Sequence, residues 1–169
     1  AVDHMQPWTA ALMVQMLPMF QGGFDVQAGA DVTLSQEAHR ADQRVRYFET
    51  IEQQLRFFAD LPMATQIQLL EDSLGGQMGE EDMKAMQAGW VDGDVQLFGP
   101  MLIVAMRDET PELYDALIRR RNKAWVEVLQ REMAGKGISM VNVGALHMVG
   151  EDGLVTQLRA RGFVVERVQ

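Results

Sequence analysis

The feature that most constrains this chain is the run Gly137-Ile138-Ser139-Met140-Val141-Asn142-Val143-Gly144, followed three residues later by His147. An apolar run rich in β-branched residues and stopped by a glycine reads as a buried strand. Gly150-Glu151-Asp152-Gly153 then turns the chain into a short helix with Leu154, Val155 and Leu158 on one face. Arg159 and Arg161 suit its last turn, and Gly162 its C′ position. Residues 163–168 predict a second strand. Strand, helix, strand is a βαβ unit, whose right-handed crossover makes the two strands parallel. Val45-Arg46-Tyr47-Phe48 predicts a third strand, with Glu49 at its end. The expected fold class is therefore α/β, a helix-rich domain with a small, largely parallel β-sheet from strands near 45–49, 138–144 and 163–168. In such sheets chemistry gathers beyond the carboxyl ends of the strands, where Glu49 and His147 would share an edge.

Helices are expected elsewhere. Trp8, Leu12, Met16 and Met19 lie at helical spacing, with Pro18 ending the regular helix and Gln21-Gly22-Gly23 as a loop. Asp31 can cap a helix through Ala41. Thr50-Ile51-Glu52-Gln53 fits a capping box, followed by Ile51, Leu55 and Phe58 as a buried stripe. Pro62 opens a helix lined by Met63, Ile67, Leu70 and Leu74. Glu80-Glu81-Asp82 favours another, with Met83, Met86 and Trp90 inward and a later bend at Gly99-Pro100. Thr110-Pro111-Glu112 starts a long helix to about Met133, with Leu113, Leu117, Ala124, Trp125, Val128 and Leu129 apolar.

The length, 169 residues, suits one domain spanning 1–169. A net charge of −9 repels phosphate and argues against a nucleic-acid surface. With no cysteine, disulfides and thiolate metal sites are excluded. No apolar run reaches the roughly 18 residues of a membrane span. Only His4, His39 and His147 are present, so several imidazoles cannot share a metal within one chain. His4 sits in a stretch resembling a cloning remnant, and His39 falls on a polar helix face. A Gly-rich phosphate loop, His-Glu-x-x-His and Gly-x-Ser-x-Gly are all missing.

That leaves His147, Glu49 and the run Arg119-Arg120-Arg121-Asn122-Lys123. A histidine after a glycine-marked strand end can meet a ligand or serve as a satisfied structural residue. An acid before a helix N-terminus can be functional or can simply suit the dipole. Five consecutive helical residues spread around the axis, so most face solvent, while Arg121 and Asn122 can aim at a site.

Taken together, these stretches resemble the TraB/GumN family, related to Tiki-type metalloproteases and more distantly to erythromycin esterase and ChaN-like proteins. Val143-Gly144-Ala145-Leu146-His147, Gly150, Gly153-Leu154, Arg161-Gly162 and residues 165–168 resemble its C-terminal signature, which contains Gly-x-x-His. Phe48-Glu49-Thr50-Ile51-Glu52-Gln53-Gln54 is similar to its Leu-Glu-Thr-x-x-x-Gln element. Arg121-Asn122-Lys123-Ala124-Trp125 is similar to its Arg-Asn-x-x-Trp helix. No Gly-x-x-His occurs before residue 144, whereas family members carry an earlier one. The resemblance thus implies the C-terminal portion of a longer protein.

It further implies a metal-dependent hydrolase, with His147 and Glu49 as metal ligands and Glu49, Arg121, Asn122 and His147 as the catalytic set. The cofactor would be a divalent metal (Mn, Co or Zn), and the substrate a peptide or small molecule. One imidazole and one carboxylate seldom hold a metal tightly, so this chain alone is expected to bind metal weakly and to be inactive or weakly active. The alternative is a non-catalytic binding or assembly module that dimerises through an exposed sheet edge. A periplasmic or cell-envelope location is implied by the resemblance.

Overall fold

One helical stretch, residues 111–133, contributes to all three apolar clusters described for the core. The computed structural model describes residues 5–21, 25–76, 80–96 and 102–168. Their helices are α1 (Pro7–Gln21), α2 (Ala30–Arg40), α3 (Ile51–Ala59), α4 (Met63–Gly75), α5 (Glu80–Val91) and α6 (Val104–Glu109). Then come α7 (Pro111–Tyr114), a π-helical turn (Asp115–Arg119), α8 (Arg120–Met133) and α9 (Leu154–Ala160). Short 3₁₀ turns occupy Val26–Ala28 and Ala145–His147. The expected Gly22-Gly23 loop and Gly99-Pro100 bend lie outside the described residues.

The expected α/β fold is corrected: the described residues contain helices and no strand, so neither the parallel sheet nor the βαβ unit forms. The three supposed strands are irregular segments. β-Branched content favours an extended backbone locally, but a strand exists only when a neighbour takes up its N–H and C=O groups. Here side chains tie the segments down instead. The Glu132 carboxylate, at the end of α8, pairs with Arg46 and accepts from Ser139 Oγ at 2.9 Å. Those two partners, the Ser139 hydroxyl first, hold its carboxyl below the usual carboxylate range. Arg159 Nη2 donates to the Val165 carbonyl at 2.7 Å, and Arg167 Nη2 to that of Gly93 at 2.7 Å. Much of the apolar surface of these segments stays in solvent, including Tyr47, Ile138, Met140, Val164 and Val168.

Helix positions follow the sequence signals closely, while buried faces follow them only in part. The Thr50/Gln53 capping box is complete: Thr50 Oγ1 accepts from Gln53 N at 3.2 Å, and Gln53 Oε1 accepts from Thr50 N at 2.8 Å. Gly162, at φ +86°, follows the C-cap Arg161 as expected. By contrast Ile51 is 77% exposed and Leu55 is exposed too, so of the α3 stripe only Phe58 packs on the core. In α4 the buried residues are Gln66, Leu69 and Ser73, while Met63, Ile67 and Leu74 are exposed. Trp90 likewise faces solvent. Pro18 lies inside α1 rather than ending it, within the last turn where one lost backbone bond matters least. The N-cap of α2 is Gly29, and Asp31 sits in its first turn, accepting from Asn142. The 111–133 helix runs the predicted length, but the π turn advances less per residue and shifts the downstream face. Asn122, Trp125, Val126 and Leu129 are therefore buried, and Ala124 and Val128 exposed.

Candidate functional site

The π turn delivers Arg121, Asn122 and Trp125 to one side of α8, toward Glu49 and the 145–153 loop. The Arg121 guanidinium grips the Glu49 carboxylate in a fork, Nε to Oε1 at 3.0 Å and Nη2 to Oε2 at 3.0 Å. Trp125 Nε1 donates to the same Oε1 at 2.8 Å. Arg121 Nη1 donates to the Leu117 carbonyl at 3.2 Å, and the guanidinium lies over the Phe57 and Trp125 rings at 5.2 and 4.8 Å. The pair is sheltered, with side-chain exposures of 17% for Arg121 and 8% for Glu49. Bidentate geometry and the aromatic cover offset part of the desolvation cost of burying both charges.

His147 also meets Trp125, its ring centroid 4.4 Å from the indole. Phe48 stacks on Trp125 at 5.0 Å. His147 is buried in the 3₁₀ turn that follows Gly144. Its Nδ1 lies 2.7 Å from Asn122 Oδ1, while Asn122 Nδ2 donates to the carbonyls of His147 at 3.1 Å and Asp152 at 2.8 Å. Burial first, and then the Arg121 charge, push the imidazole pKa down to about 4, so the ring is neutral near pH 7.

Loop closure is enforced by glycine. A Cβ on Gly153 would sit 2.5 Å from the Val149 carbonyl oxygen, and Gly150 takes φ +82°. Gly144 makes no such demand, since its Cβ would meet His147 Cδ2 at an ordinary 3.8 Å. Asp152 anchors the loop from below, accepting from Tyr114 Oη at 2.8 Å and Arg119 Nε at 3.1 Å. Burial, then that carboxylate, raises the Tyr114 pKa, keeping the phenol protonated as a donor.

Glu49, Arg121 and His147 thus meet around one indole, and Asn122 joins them through its contact with His147, though Glu49 and His147 share no hydrogen bond. The profile of the TraB/PrgY/gumN family matches residues 1–167. The chain belongs to that family. It is 29% identical over 153 residues to the uncharacterized protein YbaP of Escherichia coli (strain K12), and equally to that of Shigella flexneri. Each match covers 90% of this chain and 56% of the relative, so the chain spans about half the length of the curated relatives it matches. No solved structure matches.

In this TraB/PrgY/gumN chain the residues present do not fit a tightly held divalent ion. Zinc centres use about three or four protein ligands, and no group of three or more His, Asp or Glu converges among the described residues. Glu49 is also committed, its oxygens facing three N–H donors that include a full positive charge. Sequence reasoning placed Trp125 in the apolar set and missed its N–H; the i, i+4 spacing from Arg121 was the available signal. Asp152 was missed because nothing marks a loop acid as the partner of a distant tyrosine. Of the basic run, Arg119 and Arg120 pair with Asp115 at 3.6 and 3.0 Å, and Lys123 is exposed.

Proposed function

We propose that this cluster is the acid–imidazole part of a hydrolase-type centre, and that the chain alone is inactive or weakly active and binds divalent metal weakly. The observation that carries the reading is the convergence of Glu49, Arg121 and His147 on Trp125, with Asn122 held against His147 and with Nε2 of His147 as the one nitrogen of the set without a hydrogen-bond partner among the described residues. A neutral imidazole there accepts a hydrogen bond or donates its lone pair, while Arg121 fixes the Glu49 carboxylate in place through a two-pronged contact. A recess of about 260 Å³ beside the loop is lined by Trp90, Val95, Val143, Ala145 and Met148 among others, and His147 takes no part in it. That separation supports low activity of the isolated chain.

The test is titration of the chain with Zn²⁺, Mn²⁺ or Co²⁺, read by calorimetry and by NMR of the His147 ring. The expected result is a weak response at His147 that disappears in His147→Gln. Tight stoichiometric binding abolished by that substitution would overturn the claim of weak affinity. An unchanged His147 signal at millimolar metal would remove metal from the reading. A periplasmic or cell-envelope location belongs to the same proposal and rests on family resemblance; fractionation of the native protein into the cytoplasm would remove it.

A second reading, a binding or assembly module, is favoured by the exposed apolar residues Ile138, Met140 and Val164, now without any sheet edge. Light scattering that finds a strict monomer at high concentration would count against self-association.

A further inference from the structure

We infer that Asn122 is a positioning residue that locks His147 in one tautomer, hydrogen on Nδ1 and lone pair on Nε2, so that the site offers a bare imidazole nitrogen to a hydrogen-bond donor or Lewis acid. The inference deepens the proposed function and rests on it for its chemical use.

Hydrogen-bond accounting forces the tautomer. Asn122 is fully buried, at 0% exposure, and an amide side chain offers two N–H hydrogens and one acceptor oxygen. Both hydrogens point at carbonyls, those of His147 and Asp152, and a carbonyl can only accept. Rotating the amide by half a turn would set Oδ1 against those two oxygens, repelling both and stranding the His147 carbonyl without a donor, while that of Asp152 would keep only Gln157 Nε2 at 2.7 Å. Oδ1 therefore faces the imidazole, and the 2.7 Å contact to Nδ1 requires the hydrogen to sit on Nδ1. The neutral ring then carries its lone pair on Nε2. That atom is not sealed in: Gln66 Oε1 is the one buried, unpartnered side-chain polar atom among the described residues, and Nε2 has no partner there. Free imidazole side chains in water favour the opposite form, Nε2–H, so the fold reverses the intrinsic preference.

The same amide also binds the loop to α8, because its two carbonyl partners flank residues 148–151. A metal-bound or catalytic histidine elsewhere is commonly oriented by the partner of its other nitrogen. Here that partner is a neutral amide on α8, which fixes direction without adding charge.

The experiment is a long-range ¹H–¹⁵N correlation on the uniformly ¹⁵N-labelled chain near pH 7, with the His147 signals assigned by their loss in His147→Gln. The expected pattern has Nδ1 protonated and Nε2 bare. A protonated Nε2 with bare Nδ1 overturns the inference. Asn122→Leu is expected to shift the pattern toward Nε2–H. A folded Leu variant, judged by amide dispersion, that keeps the original pattern would remove Asn122 from the positioning role. Should that variant not fold, the wild-type pattern still decides. The readout needs neither metal nor turnover, so a failed metal titration leaves it standing, and a wrong tautomer leaves the titration result standing.

Discussion

The start and the middle of the 111–133 helix pack by different means. At its start, Leu113 and Ala116 join Ala11, Leu61 and Leu69 in an apolar cluster where α1 lies along α4. Further along, Asn122 and Trp125 organise the polar cluster around Glu49 and His147. The apolar part admits imperfection: Gln66 Oε1 is buried there without a partner, and Ser73 and Gln15 share a 2.9 Å bond on the α1–α4 face. The polar part admits little, since each Asn122 valence and both Glu49 oxygens are matched. Apolar contact is non-directional and survives a shift of register, whereas a buried charge or amide must meet its partner at one distance and angle.

The sharpest way to break this contrast is Glu49→Ala. It leaves the Arg121 guanidinium sheltered and unpaired, and the expected destabilisation is roughly 3–5 kcal/mol in urea unfolding. In the Glu49→Ala/Arg121→Ala double variant the loss should be smaller than the sum of the single losses. Additive losses would mean the pair is not coupled.

The pH profile gives the next effect. Above pH 6.5 His147 is neutral in folded and unfolded chains alike. As pH falls below 6.5 the unfolded chain binds a proton that the folded chain refuses until about pH 4. Stability contributed by the neutral ring is therefore lost across that window, reaching about 3 kcal/mol at its lower end. Denaturant unfolding of wild type and His147→Gln at pH 7 and 4.5 checks this: the variant should lose less stability between the two. Equal losses would place the ring in solvent.

The smallest effect sharpens the apolar side. The sequence pattern makes Ile67 a core residue, for which truncation to alanine would cost about 2–5 kcal/mol. The structure turns it to solvent, so Ile67→Ala should change stability by less than about 0.5 kcal/mol. A core-sized loss would restore the pattern-based face of α4.

How far the sequence was legible differs by level. The Thr50/Gln53 box, the start at Thr110-Pro111 and the Gly162 stop each use local chemistry, and each lies where that chemistry says. Glu49 and His147 were brought together by a sheet edge that does not form, and Arg121 and Asn122 joined them through resemblance to a family, without the indole that Glu49, Arg121 and His147 share. The sheet was misread because residues 138–144 and 163–168 carry strand-like composition, and composition cannot supply a pairing partner. The buried face of α4 was misread because apolar spacing ignores polar residues that bond inside, Gln66 through Nε2 to the Leu61 carbonyl and Ser73 through Oγ to that of Leu69.

Residue identity by itself determined helix caps, turn positions, the acidic charge and the small inventory of titratable groups, because these depend on neighbours within a few residues. Tertiary structure alone decided that Glu132 would tether two segments in place of a backbone ladder, that Trp125 would touch both an acid and an imidazole, and that Asn122 would engage both amide hydrogens and its oxygen at once. Those outcomes depend on directional contacts between groups as much as 86 residues apart, some of them beyond a π turn that no local signal announced.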